Sequence, residues 1–329
     1  MRISNKVNVM SYAIEAKELT KYYGDFLAVD HISFSVDRGE IFGFLGPNGA
    51  GKSTTIRMLT GISLPSSGSA EIMGYDIVKQ SVAAQTLMGI VPDISNIYTE
   101  LTAWQNLDFT GKLYGIPKEK RDKKNRELLE RFELYDRKDE KVEGYSRGMR
   151  RKVCIAMALV NDSKILYLDE PTSGLDVKSV RGIRDLIRSL NEEGLTVFLT
   201  THNLKEANQM CDRIAVINRG KIAAIDTPER LKGAMQRSQS IEISFEKHSN
   251  TPTLEELPGV IDTEKRGDKL RLVTSNPKET LRGLCKLIEE NSLDILSLNT
   301  RGASLEDVFL DLTGKEMKKE IIKGKKGRR

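Results

Sequence analysis

One segment, Gly46–Ser53, constrains the fold of this 329-residue chain more than any other part of its sequence. It reads GPNGAGKS and fits the pattern G-x-x-x-x-G-K-S/T. The apolar run Ile41–Leu45 before it is typical of a buried parallel strand, and Thr54–Thr60 after it is predicted to form a helix. A glycine-rich turn between a strand and a helix directs successive backbone N–H groups at phosphate oxygens. The sequence therefore predicts an α/β domain with a phosphate-binding loop.

The residue types of this loop suit the chemistry of a nucleoside triphosphate. Lys52 supplies a compact positive charge, and the Ser53 hydroxyl can ligate Mg²⁺. The predicted nucleotide contacts from this region are Gly46, Pro47, Asn48, Gly49, Ala50, Gly51, Lys52, Ser53 and Thr54. The alternative is a flexible glycine-rich turn without a ligand, which does not account for the strand and the helix on either side.

A second apolar strand ends in two carboxylates. The run Ile165–Leu168 precedes Asp169 and Glu170, and the ligands of α/β sheets bind at the carboxyl ends of the strands. Asp169 is placed to hold Mg²⁺ or its bound water, and Glu170 is placed to polarise an attacking water. Taken alone, the segment could equally be a strand that ends in ordinary acidic loop residues. A phosphate-binding loop in the same chain favours the catalytic interpretation.

Further predicted strands alternate with helices, as expected for a mainly parallel sheet. These strands are Ile32–Val36, Met88–Val91, Thr196–Thr200 and Arg213–Asn218. The stretch from residue 100 to 160 is instead rich in helix signals. Thr102 and Gln105 have the spacing of a capping box, and Arg121–Phe132 reads as a charged amphipathic helix.

A change in composition near Gly233–Ser240 predicts a second, smaller α+β domain. Its expected elements are a strand through Ile241, Ile243 and Phe245, a hairpin of Val260–Arg266 and Lys269–Val273, a helix Pro277–Glu290, a strand Leu293–Leu298 and a capping box at Ser304–Asp307. The predicted division is an extension over residues 1–12, a nucleotide-binding domain over 13–235, the α+β domain over 238–314 and a basic tail over 315–329.

Four more motifs follow a fixed order along residues 14–235. They are KYYG at Lys21–Gly24, YSRGM at Tyr145–Met149, SGLD at Ser173–Asp176 and TTH at Thr200–His202. Together with the phosphate-binding loop and the paired carboxylates, they resemble the ATP-binding cassette (ABC) ATPases, the nucleotide-binding subunits of transporters. The resemblance implies a P-loop ABC ATPase fold, with a RecA-like core, an antiparallel β subdomain and a helical signature subdomain.

The resemblance also assigns roles to individual residues. In this family two copies pair head to tail around two ATP molecules, and hydrolysis allows the pair to open. Tyr23 is then expected to stack on adenine, while Ser146 and Gly148 of one copy face the nucleotide on the loop of the other. The implied nucleotide contacts outside the loop are Tyr23, Asp93, Ser146, Gly148 and Asp176, and the implied catalytic residues are Lys52, Glu170 and His202.

Two parts of the chain depart from the family pattern. Asp93 stands where the family has the glutamine of its Q-loop, and the signature carries Arg147 and Met149 in place of a glycine and a glutamine. Asp93 can still meet Mg²⁺ or its water, although it is shorter and adds negative charge near phosphate. The expected metal ligands are therefore Ser53, Asp93 and Asp169.

Shorter motifs resemble the ABC-2 and daunorubicin-resistance exporters: the basic residues Arg150–Lys152 after the signature, and Ser304–Phe309 near the C-terminus. This implies an ATP-hydrolysing subunit, paired with a second copy, on the cytoplasmic face of the cell membrane. It would drive export through a separate permease, docked at the helical region and the loop near Asp93, without contacting the cargo. The longest apolar run, Val153–Val160, is too short to span a bilayer.

Charge and cysteine usage separate this interpretation from its alternatives. The net charge is +5, and residues 315–329 alone carry eight Lys/Arg and two Glu, or +6, so residues 1–314 carry about −1. A soluble ABC ATPase acting on ribosomes or nucleic acid is the main alternative, but nucleic-acid binding favours a strong positive surplus. A P-loop kinase would not need the signature motif. Three separated cysteines without a C-x-x-C pair indicate a reducing compartment and no zinc site.

The basic tail leaves two interpretations open. Charge runs of this kind usually remain solvated, which predicts a disordered tail. Alternatively, the eight basic residues attract an anionic membrane surface, at roughly 1 kcal/mol for each residue near the lipid.

Overall fold

The computed structural model describes residues 12–94, 96–233, 239–246, 254–291, 293–301, 305, 308–309 and 312. The chain divides between Ile225 and Asp226 into two compact units. Composition predicts this change later, near Gly233–Ser240, but the short helix Pro228–Gly233 groups with the second unit. The first described strand begins at Tyr12, the last residue of the predicted extension.

The first unit contains two sheets. Its strands are β1 Tyr12–Tyr23, β2 Phe26–Asp37, β3 Ile41–Leu45, β4 Ser67–Ile72, β5 Tyr75–Asp76, β6 Met88–Val91, β7 Ile165–Asp169, β8 Thr196–Thr201, β9 Arg213–Asn218 and β10 Lys221–Asp226. The smaller sheet has the order β2-β1-β4-β5 and antiparallel pairing. The larger has the order β10-β9-β3-β8-β7-β6, in which β9 pairs parallel with β3, β3 with β8, β8 with β7 and β7 with β6.

The helices of this unit surround the parallel sheet and form a helix-rich segment between β6 and β7. They are α1 Lys52–Leu59, α2 Ser81–Gln85, α3 Ala103–Leu113, α4 Lys118–Arg131, α5 Arg147–Ala158, α6 Val177–Glu192 and α7 Leu204–Met210. The capping box that begins α3 is confirmed, since Gln105 N donates to Thr102 Oγ1 at 3.1 Å and Thr102 N donates to Gln105 Oε1 at 2.9 Å. Helix α4 starts three residues before the predicted Arg121, directly after Pro117.

A buried aromatic cluster joins the two sheets. Phe34 lies on β2, Phe42 and Phe44 on β3, Tyr167 on β7 and Phe198 on β8. The ring of Phe198 lies between 5.5 and 6.0 Å from the other four, measured between ring centroids. Such pairs add about 0.5–1.5 kcal/mol each beyond the burial of their area. The cluster therefore fixes the three strands whose carboxyl ends carry the predicted catalytic residues.

The second unit is the expected small α+β fold. Its elements are α8 Pro228–Gly233, β11 Gln239–Phe245, β12 Val260–Arg266, β13 Lys269–Thr274, α9 Pro277–Glu290 and β14 Ile295–Arg301. The strands pair antiparallel in the order β12-β13-β11-β14, and α9 packs on Ile241, Ile243, Phe245 and Leu272 through Leu284. The hairpin and the helix agree with prediction, whereas β14 begins two residues after the predicted Leu293. Of the capping box predicted at Ser304–Asp307 only Leu305 is described, and the basic tail lies outside the described residues.

No helix in the described part of the chain is long and apolar enough to cross a bilayer.

Candidate nucleotide-binding site

The phosphate-binding loop joins β3 to α1 at the carboxyl edge of the parallel sheet. Gly51 has φ 108°, a backbone conformation that residues with a side chain rarely adopt. A Cβ atom there would also lie 2.8 Å from the Ala28 carbonyl oxygen. Helix α1 begins directly afterwards, at Lys52 rather than at the predicted Thr54. Because backbone N–H groups at a helix start have no partner within the helix, the loop and α1 present donors to an anion.

Lys52 is buried beside this loop, and its ammonium group contacts two carbonyl oxygens and one carboxylate. Its ammonium group donates to the carbonyl oxygens of Gly46 at 2.7 Å and Pro47 at 3.1 Å. The same nitrogen lies 3.4 Å from Glu170 Oε1, and the Lys52 side chain is only 6% exposed. The positive charge of the loop therefore lies directly against the carboxylate that follows β7.

Glu170 occupies an unusual backbone conformation at the end of β7. Its φ is 48°, in the left-handed region that is disfavoured for residues with a Cβ atom. Its N–H donates to the carbonyl and the hydroxyl oxygen of Thr200, each at 3.2 Å. Its Oε2 lies 2.9 Å from Nδ1 of His202, the residue that follows β8. The parallel register of β7 with β8 thus brings Glu170 and His202 together.

The protonation states in this group follow from its contacts. Burial alone would raise the pKa of Glu170, but the hydrogen bond to His202 and the charges of His202 and Lys52 outweigh it and hold this pKa below its usual range. The hydrogen bond that His202 donates to Glu170 raises the pKa of His202, against a smaller lowering by burial. Glu170 is therefore a carboxylate at neutral pH and can accept a hydrogen bond or a proton.

The pKa shifts of His202 and Glu170 make the stability of the fold depend on pH, in opposite directions for the two residues. Because folding raises the pKa of His202, its contribution is fully present below the ordinary value of about 6.5 and is lost as the pH rises through the raised value. Folding lowers the pKa of Glu170, so its contribution is present above the ordinary value of about 4.3 and is lost as the pH falls through the lowered one. His202 and Glu170 therefore both stabilise the fold in full only at pH values above the ordinary pKa of Glu170 and below that of His202.

A cavity of about 350 Å³ collects most of the predicted nucleotide contacts. Its lining residues are Tyr23, Phe26, Ala28, Pro47, Asn48, Gly49, Gly51, Lys52, Ser53, Thr54, Asp93, Asp169 and Glu170. The predicted contacts Gly46 and Ala50 belong to the same loop but do not line the cavity, although Gly46 supplies a carbonyl oxygen to Lys52.

Two lining residues, Phe26 and Ala28, are absent from the sequence prediction. Phe26 pairs with Tyr23 across the turn between β1 and β2, so the two rings start at the same point of the hairpin. Both are well exposed, at 65% for Phe26 and 46% for Tyr23. The short spacer Gly24-Asp25 between two aromatic residues was the available signal for this second ring.

The oxygen donors of the cavity suit a magnesium ion. The Ser53 hydroxyl and the carboxylates of Asp93 and Asp169 line the same space, and hard oxygen ligands are those that Mg²⁺ prefers. Asp169 accepts a hydrogen bond from the Thr200 hydroxyl, which orients it at the end of β7. No group of three or more His, Cys, Asp or Glu in the described residues would hold a metal without further ligands.

Three predicted contacts lie apart from this cavity. Ser146 caps α5 by accepting from Met149 N at 3.2 Å, and Asp176 caps α6 by accepting from Ser179 N at 2.9 Å. Gly148 packs on α6 so closely that a Cβ atom would lie 2.4 Å from Ser179 Oγ. One copy of the chain therefore does not bring the signature and the phosphate-binding loop together.

Comparison with known proteins identifies the family. A family model described as "ABC transporter" matches residues 29–173. The linearmycin resistance ATP-binding protein LnrL of Bacillus subtilis (strain 168) is 35% identical over 318 residues, covering 93% of this chain and 99% of that protein. The Nod factor export ATP-binding protein I of Ralstonia nicotianae is 36% identical over 307 residues, covering 93% and 95%.

Solved structures agree with this assignment. The structure of cbiO1 from Clostridium perfringens, part of the ABC transporter complex cbiONQ, matches with a TM-score of 0.63 and 29% identity over 68% of this chain and 91% of that one. The cassette MJ0796, in a dimeric post-hydrolysis state with ADP and Pi, matches with 0.58 and 27% over 65% and 98%. The chain belongs to the ABC transporter family, as the ATP-binding subunit of an exporter and an ATPase coupled to transport.

The contact between Glu170 and His202 predicts a titration. The chain has three histidines, so their imidazole signals can be followed by NMR as the pH is raised. We expect His202 to titrate above about 6.5 in the wild type and to move back towards that value in Glu170→Gln. His31 contacts Asp30 instead and serves as the internal control. An unchanged His202 titration in the variant would show that the two side chains do not interact in solution.

Proposed function

We propose that Glu170 is the general base of ATP hydrolysis in this subunit, that Lys52 holds the transferred phosphate, and that His202 orients the Glu170 carboxylate. The observation that carries the proposal is the position of this carboxylate between Lys52 and His202, at the mouth of the phosphate-binding loop. A general base must be ionised and within hydrogen-bond reach of the water that it activates. The lowered pKa of Glu170 meets the first condition.

Competition for Lys52 gives this arrangement a chemical consequence. Phosphate oxygens that bind the Lys52 ammonium compete with Glu170 Oε1, which lies 3.4 Å away. Glu170 then retains its contact with His202 through Oε2, while Oε1 becomes available to the attacking water. Nucleotide binding thereby frees the Glu170 base, because Lys52 exchanges a carboxylate partner for a phosphate partner.

Mg²⁺ is the proposed metal cofactor, with Ser53, Asp93 and Asp169 as its protein ligands or the partners of its bound waters. When bound, it would neutralise charge on the phosphate oxygens. Because Asp93 is shorter than the family's glutamine, we expect it to act through a bound water more than by direct contact.

The second copy of the chain supplies the missing part of the site. Ser146 and Gly148 lie away from the cavity of their own copy, which supports the proposal that they face the γ-phosphate of a partner in a homodimer. A hydroxyl and free N–H groups at the start of α5 are suitable ligands for that phosphate. The dimeric form of the related cassette MJ0796 adds support.

We further propose that a membrane permease docks in a groove of the helix-rich segment, which places the subunit on the cytoplasmic face of the membrane. The groove has a volume of about 510 Å³ and is lined mainly by apolar side chains. Its residues are Ile90, Asn96, Tyr98, Phe109, Thr110, Leu113, Tyr114, Cys154, Met157 and Ala158. Leu113 is 71% exposed, and the neighbouring Ile94 is 84% exposed. Exposed apolar side chains around a groove are typical of a protein interaction site.

The alternative function, an ABC ATPase that acts on ribosomes or nucleic acid, has less support. Residues 1–314 carry a net charge of about −1, which follows from +5 for the chain and +6 for residues 315–329. Phosphate-backbone binding requires clustered positive charge. The relatives named for linearmycin, Nod factor and daunorubicin lie at 35–38% identity, so this subunit's sequence does not choose among such cargoes.

Glu170→Gln tests the assignment of the base. We expect kcat for ATP hydrolysis to fall by about 10²–10⁴-fold, because the amide cannot accept the proton, while the affinity for ATP is retained. Glu192→Gln changes an exposed glutamate in α6 in the same way and should leave kcat unchanged. Turnover in Glu170→Gln equal to the wild type would refute the role of Glu170.

Leu113→Glu tests the groove. We expect this variant to lose co-purification with a multi-span membrane protein from solubilised membranes, because a charge in an apolar interface is not paired. Val82→Glu places the same charge at another exposed apolar position, 74% exposed, and should keep the partner. If the wild type instead remained with ribosomes or nucleic acid, the alternative function would be correct.

A further inference from the structure

Arg151 is a buried guanidinium that plays no part in the mechanism proposed above. It lies in the second turn of α5, five residues after the capping residue Ser146, and is only 5% exposed. Its partners are backbone carbonyl oxygens on two other segments. Nη1 donates to Pro92 O at 2.7 Å, and Nη2 donates to Glu170 O at 3.0 Å and lies 3.5 Å from Asp93 O.

One of the two segments that Arg151 contacts is the strained backbone at Glu170. A residue with a Cβ atom keeps a φ of 48° only when its surroundings fix it there. The Glu170 N–H is fixed by Thr200, and the carbonyl oxygen accepts from Arg151 and from the N–H of Ser173 at 3.1 Å. Arg151 is the side chain that holds the carbonyl side of this peptide, directly behind the carboxylate that faces Lys52.

The other segment is the loop that leaves β6. Arg151 binds the carbonyl oxygens of Pro92 and Asp93, the two residues that follow Val91. The side chain of Asp93 lines the nucleotide cavity. A single side chain therefore sets the backbone positions of two acidic residues that follow different strands and line the same cavity.

The chemistry of the side chain fits such a role. Burial lowers the pKa of the Arg151 guanidinium, so the charge is held at a cost that an apolar residue of similar volume would not incur. The planar fork of five N–H donors reaches several carbonyl oxygens at once, which a lysine ammonium on a flexible stem does only in part. The contacts explain why an arginine, rather than an apolar residue, suits this buried position.

We propose that Arg151 is a positioning residue that ties α5 and the Asp93 loop to the backbone of Glu170, so that a displacement of either segment moves the catalytic carboxylate. The inference rests on the proposed function for its consequence. Cys154, Met157 and Ala158 of α5 and Ile90 of β6 line the groove assigned to the permease. Docking there acts on α5, which carries Arg151, and on β6, which continues into the Asp93 loop. The position of the Glu170 carboxylate then changes with these segments.

Arg151→Met removes the donors and keeps most of the volume. We expect kcat to fall by about 10-fold to 10²-fold, as a small misplacement of a catalytic group does, with the affinity for ATP within about twofold of the wild type. Arg151→Lys retains a charge and some donors and should give an intermediate kcat. Arg150→Met makes the same change one residue earlier, where the guanidinium binds Glu143 O instead, and should leave kcat unchanged.

The His202 titration measures the same displacement without turnover. In Arg151→Met we expect the His202 pKa to move towards its ordinary value, because the Glu170 carboxylate no longer stays beside the imidazole. An unchanged kcat, or a loss of kcat with an unchanged His202 titration, in either Arg151 variant would overturn the inference. Because the titration needs no hydrolysis, an inactive wild type would count against the proposed function and leave the positioning test intact.

Discussion

The Glu170 carboxylate lies between two positive groups, Lys52 and His202, which follow β3 and β8 at the carboxyl edge of one parallel sheet. This meeting depends on register. Leu45 at the end of β3 pairs with Thr201 of β8, and Asp169 at the end of β7 pairs with Thr200. A shift of one residue between these strands would turn the side chains to the opposite face of the sheet. The buried aromatic cluster around Phe198 stabilises the register, and the backbone contacts of Thr200 extend it to Glu170.

The arrangement also explains how a site at the sheet edge can respond to a distant partner. Helix α5 begins with the signature residues, carries Arg151 one turn later, and then supplies Cys154 and Met157 to the apolar groove. One rigid element thus connects the proposed dimer contact, the backbone of Glu170 and the proposed permease contact. Helix α5 needs no feature that selects the transported compound, in keeping with the similar identity of relatives named for three different compounds.

Much of this site could be predicted from the sequence, because its motifs are local. The phosphate-binding loop, the acidic end of β7 and the capping box of α3 depend on residues close together in the chain. The contact of Ala28 with the cavity and the three bonds of Arg151 could not be predicted, since they depend on how separate strands align. The long strand β1 was missed for a related reason: its pairing with β2 contains several register shifts, which interrupt the alternation of polar and apolar residues. The roles of the site residues, and the domain boundaries proposed from composition, stay predictions.

In the proposed cycle, ATP closes two copies of this chain around the nucleotide sites, and hydrolysis with Glu170 as the base lets the pair open. The most direct measurement is the mass in solution of Glu170→Gln with Mg²⁺ and ATP, by light scattering after size-exclusion chromatography. We predict twice the mass of one chain with ATP and the mass of one chain with ADP. A variant that retains bound ATP and keeps the mass of a single chain would contradict the claim.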